Sequence, residues 1–289
     1  MKISIVTDEI SADPETAVEL GVQWGIRDFE LRGYFLDRAP RFSGYQKLRL
    51  RQVLERYQAN IIAISPGLFK FPFPTKRLPE FPMPWLDRVY YDDWFDAHKQ
   101  LDEHLNELLP DTLDLANEMG ALTVVSFAFA RGGLPPGQPP DELLESLFAA
   151  AECTKSAGLQ LVIENEAGFW ADTGERTAQI IRTINHPCLG ANWDPGNAFF
   201  AGDIPFPDGY QHLQRLVRHV HFKDALKNTQ GEPEYAQDGD IDWAGLLKAL
   251  VLDGYAAFIS IETHLRPKVA SAKAALDRLQ TLIAATEVK

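Results

Sequence analysis

Short runs of β-branched and aliphatic residues alternate along the chain with segments of helical periodicity. Ile3 to Thr7, Asp28 to Leu31 and Ile61 to Ser65 read as the first three strands. Asp13 followed by Pro14 supplies an N-cap and a first helical residue after the first strand, and a helix over about Tyr45 to Tyr57 follows the second. Leu122 to Ser126 reads as strand four, Leu159 to Glu164 as five, Leu189 to Asp194 as six, Val217 to Lys223 as seven and Ala257 to Glu262 as eight. Helical segments separate them, ending with Lys268 to Ala285. Eight strand–helix pairs, with no linker between halves, predict an α/β fold: a single (β/α)8 TIM barrel over residues 1–289.

The rhythm breaks once. Pro66 to Pro84 holds six prolines and several phenylalanines. Proline lacks a donor and fixes φ, so the stretch reads as neither helix nor central strand. It marks an insert over about 66–91 after strand three, expected to act as a lid or a homo-oligomer contact, or to pack on the barrel's own helices. A long helix, bent at Pro110, is expected from Asp93 to Met119.

Composition narrows the function classes. The 28 basic and 41 acidic residues leave a net charge of −13, which argues against nonspecific nucleic-acid binding. No apolar run approaches the ~20 residues of a membrane span. MKISIVTDEI reads as a first strand rather than a signal peptide, and Cys153 and Cys188 match no CxxC site, so a cytoplasmic protein is expected. Neither GxGxxG nor GxxxxGK[ST] occurs where a dinucleotide or P-loop site needs it.

Buried strands should be apolar throughout, yet four consecutive runs carry a ligand-type residue at or near their C-terminal ends: Glu164, Asp194, His221 and Glu262. In a barrel these ends converge on one mouth, where the chemistry of this fold sits. Any one of the four is accounted for by a hydrogen bond to a loop. Four together would repel unless a cation lay among them. Three carboxylates and an imidazole suit Mn²⁺, Mg²⁺ or Co²⁺ better than a thiolate-type Zn²⁺ site.

The segments VIENE (Val162 to Glu166), NWDPGNAFFAGD (Asn192 to Asp203), HVHFKD (His219 to Asp224) and SIETH (Ser260 to His264), in this order and spacing, resemble the xylose isomerase-like TIM-barrel family. VTDEIS and ELRG (Glu30 to Gly33) look like that family's first two units. The family includes sugar isomerases, ketose 3-epimerases, inosose dehydratases and endonuclease IV enzymes. The resemblance implies that Glu164, Asp194, His221 and Glu262 hold one divalent metal, and that Glu164 and Glu262 face opposite sides of a bound sugar. It further implies a sugar or polyol isomerase or epimerase working through an enediolate, with the two glutamates as acid and base. Two rivals remain: a dehydratase of an inosose- or dehydroshikimate-like ketone, and a noncatalytic sugar-binding barrel. Strands five and eight lie three apart in the ring, which favours epimerisation slightly over isomerisation.

Other residues are weaker substrate-binding candidates. Asn197 stands in DPGN where several relatives have His, and could donate to a substrate hydroxyl. Lys223 binds a substrate oxygen or pairs with Glu262 or Asp194. His264 approaches the mouth or caps the last loop. Trp170 stacks on a sugar face or packs its loop. Glu30 and Arg32 are expected to pair with one another, and His219 shares the inward face of His221. None of the seven histidines lies at the ends of strands one to four, which argues against a trinuclear zinc nuclease. No basic cluster at the late strand ends announces a phosphate, so an unphosphorylated substrate is expected.

Overall fold

Residues 1–74 and 97–287 are described by the computed structural model. Eight parallel strands close into a barrel: β1 (Lys2–Val6), β2 (Asp28–Leu31), β3 (Asn60–Leu68), β4 (Thr123–Ser126), β5 (Gln160–Glu164), β6 (Leu189–Trp193), β7 (Val217–Phe222) and β8 (Phe258–Ile261). Each strand pairs with its sequence neighbours, and β8 returns to β1 with Ile5 beside Ile261. The expected (β/α)8 architecture is therefore present, with strand bounds within a few residues of those read from the sequence, except at β3.

Local chemistry accounts for the helices. Helix α1 (Pro14–Gln23) starts where Asp13 accepts from the Glu15 amide at 3.1 Å. Helix α2 (Gly44–Tyr57) opens on a capping box between Ser43 and Gln46. Helix α3 covers 97–119, α4 is Asp141–Ser156 and α5 is Gly174–Ile184, capped by Thr173. A short helix α6 (Pro195–Phe200) follows β6 directly; α7 (Trp243–Leu252) and α8 (Lys268–Glu287) complete the ring. Their apolar faces and the strands bury one continuous core that includes Trp193, Trp243 and Phe29.

Two expectations about strand three and its sequel need correction. Strand β3 runs on to Leu68, so Pro66 lies within a strand. The ladder to β4 skips between Ile64 and Leu68 and resumes where Leu68 meets Ser126, so the missing proline donor falls in the unpaired stretch. Beyond it, Phe69, Phe71 and Phe73 are buried, with ring centroids 4.5, 5.3 and 5.0 Å from Phe129. This part of the expected insert packs on its own barrel; residues 75–91 lie outside the described residues. In α3 the sequence suggests a bend at Pro110. A widened π-type turn, His104–Leu108, directly precedes that proline, and the helix continues through Pro110 to Met119.

Candidate active site

Glu164 is the last residue of β5, Asp194 follows β6, His221 lies in β7 and Glu262 follows β8. The barrel therefore brings all four to its C-terminal mouth, nearly or fully buried. One ligand-type atom from each lies within 4.8 Å of the other three. Donors surrounding one cation at about 2.1 Å would lie roughly 3 to 4 Å apart. His221 Nδ1 stands 3.6 Å from Glu164 Oε1, 3.7 Å from Asp194 Oδ2 and 3.1 Å from Glu262 Oε2.

Each ligand atom is presented by a partner on its far side. Asp194 uses Oδ1 to cap α6, accepting from the Asn197 amide at 2.8 Å, so that Oδ2 is left for the site. The Asn165 side chain clamps the Asp194 backbone from both sides, its Oδ1 accepting from the amide and its Nδ2 donating to the carbonyl, each at 2.8 Å. His221 turns Nε2 inward, 3.2 Å from Glu30 Oε2. Glu30 also meets His219 Nε2 at 2.9 Å, and His219 reaches Ser260 at 3.0 Å, which bonds Ser4 at 2.6 Å. This polar column fills the barrel axis beneath the site.

The buried Asp194 Oδ2, His221 Nδ1 and Glu262 Oε2 make no hydrogen bond. The two carboxylate oxygens are met instead by the Lys223 ammonium, and together with Glu164 these ligand-type atoms form a compact oxygen-rich set around one point, a donor set that suits a divalent cation. The residues present therefore fit the divalent metal that the sequence resemblance implies. The ammonium of Lys223 approaches the same centre, 2.7 Å from Asp194 Oδ2 and 2.6 Å from Glu262 Oε2. Space for its stem depends on Gly196: a β-carbon there would stand 2.7 Å from Lys223 Cγ.

Charge is distributed unevenly around the two glutamates. Burial opposes ionisation of Glu262, but Lys223, Arg32 and His221 together hold it well below the usual carboxylate range. Burial likewise works against charge on His221, yet Glu30, Glu164 and Glu262 hold its pKa well above the ordinary histidine value. Lys223 is kept protonated by Asp194, Glu262 and Glu164 despite complete burial. Glu164 accepts from Asn197 Nδ2 at its Oε1, 3.2 Å away, and His221 Nδ1 lies 3.6 Å from the same oxygen.

A pocket of about 370 Å³ opens above these groups, with Glu164, Glu262, Asn197, Lys223, Arg32 and His264 in its wall. Lys223 takes the ion-pair alternative of the sequence reading, and Asn197 Oδ1 accepts from it at 3.2 Å. His264 Nε2 lies 3.3 Å from Glu262 Oε1, and its ring stacks on Tyr235 at 5.3 Å. Three candidates fall elsewhere than expected. Glu30 and Arg32 do not pair: Glu30 points down the barrel axis to the histidines, whereas Arg32 donates to Asp8, Glu9 and Glu262. Arg32 lies just past the end of β2, where strand alternation no longer sets its direction, and each side chain follows its own partners. Glu30 and Trp170 are absent from the pocket wall among the described residues; Trp170 is buried in the core. His219 takes the deeper, axial position.

Sequence reasoning missed Asn165, Tyr235, Asp8 and Glu9. Glu9 accepts from the Thr263 and His264 amides, both at 3.0 Å, tying the end of β1 to the end of β8. The strand-end rule that found Glu262 would have found Asp8 and Glu9 just past β1. Tyr235 sits on a hairpin, Asp224–Lys227 with Pro233–Ala236, inserted between β7 and α7, where no periodicity signals it. Burial pushes its phenol up to about 12, so it stays a donor.

Comparison with known proteins agrees with this architecture. The xylose isomerase-like TIM barrel pattern matches residues 18–282. A curated inosose dehydratase from Bacillus licheniformis is 26% identical over 145 residues, 45% of this chain and 48% of that protein. The chain thus spans about half the length of the curated relatives it matches. An L-ribulose 3-epimerase structure superposes with a TM-score of 0.67 at 18% identity, covering 99% of this chain and 96% of that one. A xylose isomerase-like TIM barrel protein from Mycobacterium smegmatis in complex with magnesium gives 0.66 at 17% identity, covering 94% and 89%. The chain belongs to the xylose isomerase-like TIM-barrel family.

Proposed function

We propose that the protein is a divalent-metal-dependent isomerase or epimerase of a sugar or polyol, working through an enediolate, with Glu164, Asp194, His221 and Glu262 as metal ligands. The observation that carries this reading is the convergence of one buried ligand-type atom from each of Glu164, Asp194, His221 and Glu262, all within 4.8 Å of one another, beside a polar pocket. A divalent cation held there supplies polarisation of neighbouring carbonyl and hydroxyl oxygens, which acidifies the adjacent C–H. Glu164, contacted by the neutral Asn197, removes that proton as base. On the other side Glu262, oriented by Arg32, relays to the substrate carbon a proton drawn from the Lys223 ammonium 2.6 Å from its Oε2. Asn197 and His264 meet substrate hydroxyls. That the Mycobacterium smegmatis barrel forms a complex with magnesium supports the choice of a divalent cation.

A second reading, dehydration of a polyhydroxy ketone, is favoured by the asymmetry of the two glutamates. Glu164, which has no ion pair with Lys223 or Arg32 among the described residues, serves as base, while the buried Lys223 ammonium donates to a departing hydroxyl. The partial match to inosose dehydratases supports it as well.

Metal-loaded protein is to be incubated in D2O with ketoses, aldoses and inososes, followed by NMR. Deuterium at one carbon with inversion there supports epimerisation; loss of water supports the lyase reading. Glu164→Gln and Glu262→Gln should each lower turnover at least 100-fold with the fold intact. Full activity in both variants rejects the assignment.

A further inference from the structure

Three buried carboxylates, Glu164, Asp194 and Glu262, each bring an oxygen within 3.7 Å of His221 Nδ1. A positive charge already stands among them, on Lys223. This residue lies just past β7, and its side chain is 2% exposed. Its Nζ is 2.7 Å from Asp194 Oδ2 and 2.6 Å from Glu262 Oε2, the same two oxygens that face His221 Nδ1. Both oxygens are without a hydrogen-bond donor, so the ammonium meets them as a charge rather than as an aligned donor. Its aligned bond runs to Asn197 Oδ1 at 3.2 Å. The fold keeps a place for this side chain: a β-carbon at Gly196 would stand 2.9 Å from the Lys223 carbonyl oxygen and 2.7 Å from its Cγ.

A divalent cation held by Glu164, Asp194, His221 and Glu262 draws on the same two oxygens as the ammonium. Two cations that share buried anions repel one another, and burial leaves that repulsion poorly screened. The three carboxylates, set against the Lys223 ammonium and the Arg32 guanidinium paired with Glu262, leave one net negative charge. A dication turns this into one net positive charge; without Lys223 it would bring the group to neutrality. We propose that Lys223 is a built-in antagonist of the metal: through the shared oxygens of Asp194 and Glu262, its ammonium keeps the divalent ion weakly held and exchangeable. The inference rests on the reading of these four residues as metal ligands, and it goes beyond the reaction by setting how tightly they bind. The coupling is reciprocal, so a bound dication loosens the hold of both carboxylates on the ammonium by the same factor.

Competition with a chelating dye for Mn²⁺, on EDTA-treated protein, reads this affinity apart from any turnover. Lys223→Met and Lys223→Gln remove the charge and keep most of the length; each should bind Mn²⁺ about tenfold or more tightly than the wild type. Lys223→Arg keeps the charge and should bind no more tightly than the wild type. Lys70→Met removes a pocket cation whose partner, Glu166, lies outside the ligand set, and should shift the affinity less than about threefold. A purely structural role for Lys223 predicts the opposite sign, because disturbed ligands bind the ion more weakly. Thermal unfolding gives a second reading where a neutral variant folds poorly after EDTA: saturating Mn²⁺ should raise its midpoint by more than it raises that of the wild type. Unchanged or weaker Mn²⁺ binding in the neutral variants, or equal tightening in Lys223→Arg, overturns the proposal. So do neutral variants that stay unfolded in saturating Mn²⁺, since the ion then fails to replace the ammonium. Mn²⁺ bound by the wild type with no effect of Lys223 leaves the metal reading standing without the antagonism; no Mn²⁺ bound by any of these proteins sinks both.

Discussion

Glu30 is fully buried and touches no part of the pocket, yet it should govern metal binding. Its carboxylate faces two imidazole nitrogens, His219 Nε2 at 2.9 Å and His221 Nε2 at 3.2 Å. A carboxylate only accepts, so it holds the His221 proton on Nε2 and leaves Nδ1 as the atom aimed at Glu164, Asp194 and Glu262. Replacement by Gln keeps the volume but offers one acceptor and one donor group. Oε2 meets both Nε2 atoms and Oε1 stands 3.3 Å from that of His221, so in either orientation an amide sets its nitrogen against an imidazole. If that ring is His221, its proton moves to Nδ1, which cannot then bind a metal. Loss of a carboxylate behind a ligating histidine typically costs 10–100-fold in metal affinity, or about 1.4 to 2.8 kcal/mol. The assay is competition with a chelating dye for Mn²⁺ and Mg²⁺, with circular dichroism to verify the fold. Glu30→Asp, which retains an acceptor-only group, should recover part of the lost affinity. Metal affinity unchanged in well-folded Glu30→Gln would refute the reasoning, because no tautomer control would then exist.

Two further predictions concern stability. His104 accepts the Phe69 amide on Nδ1 at 2.9 Å, and burial followed by nearby Arg41 lowers its pKa to about 4. The unfolded chain, with the ordinary value near 6.5, therefore takes up the proton first. The stabilisation is complete above pH ~6.5 and is lost as pH falls towards ~4, amounting to about 3 kcal/mol. Urea unfolding at pH 7.5 and 4 should show a smaller pH difference in His104→Asn, which keeps an acceptor for Phe69; an identical difference would mean that His104 does not titrate this way. Phe129 anchors the chain after β3 through Phe69, Phe71 and Phe73, so Phe129→Ala should cost about 3–5 kcal/mol in the same measurement. A loss below 1 kcal/mol would show that this aromatic cluster contributes little.

The barrel and its four ligand-type residues at strand ends were legible in the chain because both follow from local periodicity. Apolar runs of strand length alternate with helical segments, and a polar residue closing an otherwise buried run stands out against it. Glu164, Asp194, His221 and Glu262 were found that way, and closure of the barrel brought them within reach of one another. What the tertiary structure alone decided is which partner each charge meets. Glu30 and Arg32 are two residues apart in sequence, yet one is drawn to histidines on β7 and the other to acids after β1 and β8. Pro66 reads as a strand breaker until the skipped ladder beside β4 shows that its missing donor falls where no pairing is needed. Periodicity is a property of neighbours along the chain and can be read there. Charge compensation is a sum over neighbours in space, and only the closed barrel defines them.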